Sequence, residues 1–346
     1  MKKHSITIIL IAVILSVSCS TKPKITFVNQ ESNKQIDVMV DGKIFTSYRW
    51  PDNVCKPILY PIFTVNGTEI TRGFPIKPRE GERADHQHQI GMWLTYGNVN
   101  GSDFWGNGSQ GLGTKNSNGG VIMHMKIDKT VELPGEGVLA TSAAWVDSTG
   151  KELLKEQTEY HFSEEEGTRI IDRITTLTAG DKDVLMPDTK EGMFGIRVAR
   201  QLELSSKEDV ILTDAKGDPA TVKALSNEGV SGNYRSSEGI TGEAVWGTRA
   251  KWMDLYGNIG DEKISLVICD HPKNQSYPTY WHARGYGLFS ANPLGVKDFT
   301  KGKEELNFSI PSGKSTTFRY RVIVNSGFHL TDAEINDYAE DFARKY

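Results

Sequence analysis

Apolar and polar residues alternate at period two through most of this chain. Residues 25–29, 35–40 and 43–48 read as strands, with Asp41-Gly42 as the tight hairpin turn between the last two. Residues 57–65 read as another extended segment, ending at the Asn66-Gly67 turn. The alternation continues through 120–127, 137–146, 157–162 and 168–178, and turn-rich residues at 147–150 and 164–167 separate the last three of these. That is an antiparallel meander with one face apolar and the other wet. The pattern lapses over 205–243, a polar stretch rich in Gly and Ser that reads as an insertion or a lid, and resumes at 244–256, 264–269, 285–289 and 315–324. Residues 102–120 hold six glycines and almost no aliphatic side chain. They read as a loop, and a loop this long in a compact domain is usually functional or mobile. Only the tail has helical spacing. Thr331 with Glu334 forms a capping box, and Ala333, Ile335, Tyr338, Ala339 and Phe342 form the expected apolar side. The elements predict an all-β protein: one large antiparallel β-sandwich over residues 25–346 with a short C-terminal helix.

The first residues break this pattern. Two lysines precede an apolar run from Ile6 to Val17, and Ser18-Cys19 follows. A short basic start, about a dozen apolar residues and a small residue before cysteine read as a secretory signal, too short to span a bilayer comfortably. Residues 15–19, Leu-Ser-Val-Ser-Cys, resemble a bacterial lipobox. The expectation is a signal peptide over 1–18, lipidation at Cys19 and a tether over 19–24. An ordinary cleaved signal with an incidental cysteine is the alternative. No acidic run follows Cys19, which disfavours export to the cell surface. The expected location is the periplasm, lipid-anchored on the inner leaflet of the outer membrane, with no other membrane contact. Cys55 and Cys269 could pair in an oxidising compartment, or be two buried small apolar side chains, which is the reading favoured here.

Composition adds little to this. The formal charge of −4 gives no basic surface for nucleic acid. No Gly-rich phosphate loop opens a helix, and there is no Gly-x-Ser-x-Gly elbow or Cys-x-x-Cys.

Candidate chemistry gathers in four places. Asp85, His86 and His88 fall within four positions, ahead of the apolar run Ile90–Leu94. On an extended backbone His86 and His88 share a face, a spacing used for metal ligands, for proton transfer, or simply for hydrogen bonds at a sheet edge. His124 stands alone on its strand. Lys190-Glu191 with Arg197 makes a charged island in apolar surroundings. It reads either as a buried Glu191–Arg197 ion pair or as an acid/base group with an orienting guanidinium. The fourth place is Asp270-His271 through Asn274, followed by Trp281, His282, Arg284, Tyr286 and Asn292. Aromatic faces beside His, Arg and Asn suit a sugar ring, and an aromatic β core has the same composition.

Taken together, Asp85-His86-x-His88, residues 98–105, Asp188-Thr-Lys-Glu191-Gly-x-Phe-Gly-Ile-Arg197, and Asp270-His-Pro-x-Asn274 leading to 281–295 resemble the bacterial PmoA-like family. Gln87 and Gln89 depart from it, standing where Pro and His are usual. The resemblance implies a β-sandwich similar to the galactose mutarotase-like proteins and a setting in sugar metabolism. The family's "methane oxygenase" label is not carried over, because a methane oxygenase subunit is embedded in the membrane and nothing beyond the signal here is apolar enough to span one. The expected function is a carbohydrate-active enzyme of lyase, hydrolase or epimerase type that takes a carbohydrate or oxidised sugar on the concave sheet face. His86, His88 and His282 would move protons or hold a divalent metal, a cofactor left open, with Glu191 as acid/base partner. Arg197 and Arg284 would orient the substrate, with Asp85, His124, His271, Asn274, Trp281, Tyr286 and Asn292 as further contacts. The alternatives are a non-catalytic carbohydrate-binding lipoprotein anchored on Trp281 and Tyr286, and a purely structural sandwich.

Overall fold

The computed structural model describes residues 22–106, 118–222 and 227–346. Among these residues the strands form two eight-stranded antiparallel sheets and two two-stranded ones, Val184–Met186 with Phe308–Ile310 and Val210–Thr213 with Pro219–Val222. The first runs in the order Ile25–Gln30, Gln35–Val40, Lys43–Arg49, Ile58–Ile62, Met92–Tyr96, Gly192–Arg197, Leu288–Asn292, Tyr280–Trp281. The second runs Asn233–Ser236, Trp252–Ile259, Glu262–Asp270, Ser315–Ser326, Thr168–Ala179, Glu152–Glu165, Glu136–Val146, Val121–Leu133. The all-β sandwich with a C-terminal helix is thus the observed fold. The 41–42 turn takes positive φ at both residues, as a tight hairpin turn requires.

Side-chain alternation separates two environments on the first sheet. Met92, Leu94 and Tyr96 enter the main core, which joins the inner faces of both sheets, whereas Trp93 turns to the opposite face. There it packs with Ile58, Tyr60, Ile90, Trp105 and Leu288. Phe289 and Ala291 likewise enter the main core. The first sheet therefore has a second, smaller apolar cluster on its outer face, and the candidate site is built beside it. Gly91 leads the chain into Met92–Tyr96 with φ +57, and a Cβ there would meet the Leu59 carbonyl oxygen at 2.4 Å. Only glycine lets the two backbones approach this closely.

The helix Asp332–Lys345 has the expected capping box. Ile335, Tyr338, Ala339 and Phe342 pack on Trp252, Val267, Cys269 and Ile323, the outer face of the second sheet. Ala333 is exposed, two positions ahead of Ile335 and off the i, i+3, i+4, i+7 stripe. Cys55 and Cys269 are buried thiols.

Four expectations need correction. Residues 244–251 hold the end of a 3-10 turn and a loop, so the strand expected from 244 begins at Trp252. Residues 285–287 form a turn, and that strand begins at Leu288. The stretch 205–243 is less irregular than its composition predicts: it holds a hairpin, Val210–Thr213 with Pro219–Val222, and an edge strand, Asn233–Ser236. Short strands on a sheet edge bury too little to show a clean alternation. The helical turn Val296–Phe299 is too brief to register as periodicity. Part of the 102–120 loop lies outside the described residues.

Candidate functional site

The Asp85–His88 segment is not extended. His86 has φ +41, and Gln89 N donates to the His86 carbonyl at 2.9 Å, closing a turn. The two imidazoles meet edge to face, with centroids 5.8 Å apart. A turn, not strand alternation, brings them together. Arg72, almost wholly buried, fixes the turn. Its guanidinium donates to the carbonyls of Arg83, Asp85, His86 and Gln89 at 3.0, 2.9, 3.0 and 2.9 Å and to Asp85 Oδ1 at 2.9 Å.

Arg197 reaches the same carboxylate from the end of Gly192–Arg197. Its guanidinium donates to Asp85 Oδ1 and to Gln89 Oε1, both at 2.6 Å. Asp85 Oδ2 lies 3.2 Å from His86 Nδ1. Burial opposes charge on Asp85, but Arg197, the hydrogen bond with His86, and Arg72 outweigh it and hold the carboxyl well below the usual carboxylate range. It is a permanent anion that orients one imidazole. The other face of His86 stacks on Tyr286, 4.8 Å between centroids and 3° from parallel. Gln89, which stands where the PmoA-like pattern has His, serves as a partner of Arg197.

The Glu191–Arg197 ion pair does not form. Glu191 precedes the strand, with Lys190 Nζ 3.8 Å from its carboxylate, while Arg197 goes to Asp85 and Gln89. Asn292 acts on Glu191 at one remove: its amide donates to the carbonyls of Thr189 and Lys190 at 2.8 and 3.0 Å. His282, Arg284 and Tyr286 come from the hairpin that joins Tyr280–Trp281 to Leu288–Asn292, closed at Gly287 with φ +92.

These segments line an open cavity of about 600 Å³ whose lining includes Asp85, His86, His88, Glu191, His282, Arg284 and Tyr286. All four expected acid/base groups share it. Asp103 and Trp105, from the loop after Met92–Tyr96, also line it; Asp103 Oδ1 accepts from the Trp105 and Gly106 amides at 2.8 Å. Their electrostatics divide them. Burial, with Lys56 and other cations nearby, pulls His88 down to about 2, and burial pulls His282 down to about 3. Both shifts favour the neutral ring, which offers one donor and one acceptor nitrogen. Burial raises Glu191 above the usual carboxylate value. Nδ1 of His282 and Nε1 of Trp105 are buried with no hydrogen-bond partner.

Other expected contacts lie elsewhere. His124 sits at the edge of the second sheet, hydrogen-bonded to the Tyr48 hydroxyl at 3.0 Å and packed on Trp50. It lines a separate cavity. His271 is buried against Phe342 and accepts from the Lys273 amide. Asn274 bonds Asp270 and the Arg319 backbone, tying two strands of the second sheet. Trp281 is in the main core and donates to the Ala250 carbonyl. None of these four lines the cavity of Asp85, His86 and Glu191. Among the described residues no three His, Cys, Asp or Glu side chains gather in a way that would hold a metal.

Arg72 and Lys56 gave no signal in the sequence, being single cations in ordinary strand-like contexts. Lys56 Nζ donates to the His88 carbonyl at 2.6 Å and lies 5.1 Å from the centre of the Trp93 ring; burial lowers it to about 7. Asp103 and Trp105 were within reach, since both lie in the polar run that follows the histidines.

The sequence model described as "Family of unknown function (DUF6807)" matches residues 35–340. The chain belongs to that family. The description names neither a PmoA-like family nor an activity. No curated protein matches the DUF6807 chain. Solved structures similar to it include a galactose 1-epimerase from Lactobacillus acidophilus NCFM, with 10% identity, 89% of this chain and 100% of that one covered, and a TM-score of 0.36. A galactose mutarotase-like protein from Lactobacillus casei ATCC 334 is 10% identical over 87% of this chain and 100% of that one, with a TM-score of 0.30. The GH36 α-galactosidase AgaB from Geobacillus stearothermophilus is 11% identical over 87% of this chain but 41% of that one, with a TM-score of 0.40.

Proposed function

We propose that this protein is an enzyme acting on a carbohydrate or an oxidised sugar by acid–base chemistry, with His86 and Glu191 as the proton-exchanging pair. The observation that carries this reading is the shared cavity. A histidine oriented by a permanent carboxylate and a carboxyl raised by burial line one open cleft. A carboxyl perturbed by burial in a cleft beside an oriented histidine is the usual signature of a catalytic site. Tyr286 and Trp105 offer apolar faces, while Arg284, His282 and His88 offer hydrogen bonds, a combination that suits a polyhydroxylated ring. The motif resemblance to the PmoA-like family supports the same substrate class. Arg197, wholly buried behind Asp85, acts as a positioning residue.

The alternative of a non-catalytic sugar-binding protein relies on Trp281 and Tyr286 as anchors, and Trp281 is committed to the core. The proposed setting is the periplasm, with Cys19 lipidated and the body held at the membrane by that anchor alone.

The test is a turnover screen of glycosides and 3-keto-glycosides, with and without chelator. The expected result is turnover of at least one class, removed by His86→Ala with the circular dichroism spectrum retained. Binding without turnover across the whole panel would favour the non-catalytic reading.

A further inference from the structure

A second cavity of about 280 Å³ adjoins the first. The two share Arg83, Glu208, Arg284 and Tyr286 as common wall, and the smaller adds Trp246 and Glu243. The Arg284 guanidinium stands between two rings, 5.7 Å from the centre of Trp246 and 5.8 Å from that of Tyr286. It therefore presents donors at the junction of the two spaces. Gly285 leaves room for Glu243, because a Cβ there would fall 2.7 Å from Glu243 Oε1.

Small-molecule pockets usually enclose about 300–1,000 Å³. The larger cavity meets that range alone, and the smaller falls just below it, which fits an extension rather than an independent site. Its chemistry matches a further sugar ring. Trp246 offers an apolar wall. Arg83 is already paired with Glu203 at 2.7 Å, so Arg284 as donor and Glu208 and Glu243 as acceptors face this space, and a ring with many hydroxyls can use both kinds of partner.

We propose that the two cavities form one bipartite site: the reacting sugar unit lies against His86 and Glu191, and a second saccharide unit lies against Trp246 and Glu243. The substrate is then at least a disaccharide. This deepens the carbohydrate reading above and rests on it.

Calorimetric titration of the purified protein tests it, using methyl glucoside and methyl galactoside against cellobiose and lactose. In the wild type the matching disaccharide is expected to bind at least about tenfold tighter than its methyl glycoside. Trp246→Ala should shrink that difference, the disaccharide losing more affinity than the methyl glycoside, whose own loss is limited to what the Arg284 contact with Trp246 contributes. Trp246 also packs edge-on against Phe299, so Glu243→Ala, at an exposed position, provides a second variant with the same expectation. Equal affinity for single and paired units in the wild type, or an equal loss for both in either variant, overturns the bipartite site and leaves the carbohydrate reading standing. Failure of all four sugars to bind the wild type counts against both.

Discussion

Lys56 lies beneath the histidine turn, its ammonium on the His88 carbonyl and facing the Trp93 ring. Its proton affinity falls to about 7, chiefly through burial. An unfolded lysine keeps its proton to about pH 10.4. Between these values the unfolded chain holds the extra proton, so stability rises with pH by about 1.4 kcal/mol per pH unit relative to a variant lacking the group. Urea unfolding of wild type and Lys56→Met at pH 7, 8 and 9 is expected to show the wild type gaining on the variant at each step. Parallel curves would mean the ammonium is not desolvated. Glu191 has the opposite sign. Its raised value keeps the proton on the carboxyl to higher pH, so as a proton donor it should lose activity as pH rises through that value. The rate profile of Glu191→Gln should lack this alkaline limb. An unchanged profile would remove Glu191 from the proton chemistry.

The histidine turn is the element on which the site depends, and Arg72 is what fixes it. Four backbone carbonyls converge on one guanidinium. Lysine keeps the charge but lacks the planar fork, and each buried acceptor left without a partner costs about 1–3 kcal/mol. Arg72→Lys is therefore expected to lower unfolding free energy by at least about 2 kcal/mol and to cut turnover with it, measured by chemical denaturation and steady-state rates. A fully stable, fully active variant would show that the turn holds its shape unaided. The turn also marks where sequence reading stopped. The expected strand geometry put His86 and His88 on one face, whereas it is a turn that brings the two rings to one cavity. Strands were legible because their alternation reports burial directly. The hairpin of 210–222 and the outer-face cluster around Trp93 were not, because they depend on which elements meet. The same limit explains His271, Asn274 and Trp281. A polar or aromatic side chain looks alike in sequence whether its partner is a ligand or the protein's own backbone.

At the scale of the molecule, the first sheet carries the candidate site on the face turned away from the main core, and the C-terminal helix covers the outer face of the second. The proposed anchor lies at the start of the chain. Cys19→Ala is expected to move the protein from the membrane fraction to the soluble periplasmic fraction and to abolish fatty-acid labelling; retention in the membrane would exclude lipid anchoring at that residue. The central claim is that the fold brings His86 and Glu191 into one acid–base unit. The most direct measurement is the kcat of His86→Ala, Glu191→Gln and the double variant on a sugar the wild type turns over. Each single change is expected to cost about 10²–10⁴-fold, and the double change little more than the worse single one, as groups acting together do. Full activity in either single variant, with the fold intact, would contradict it.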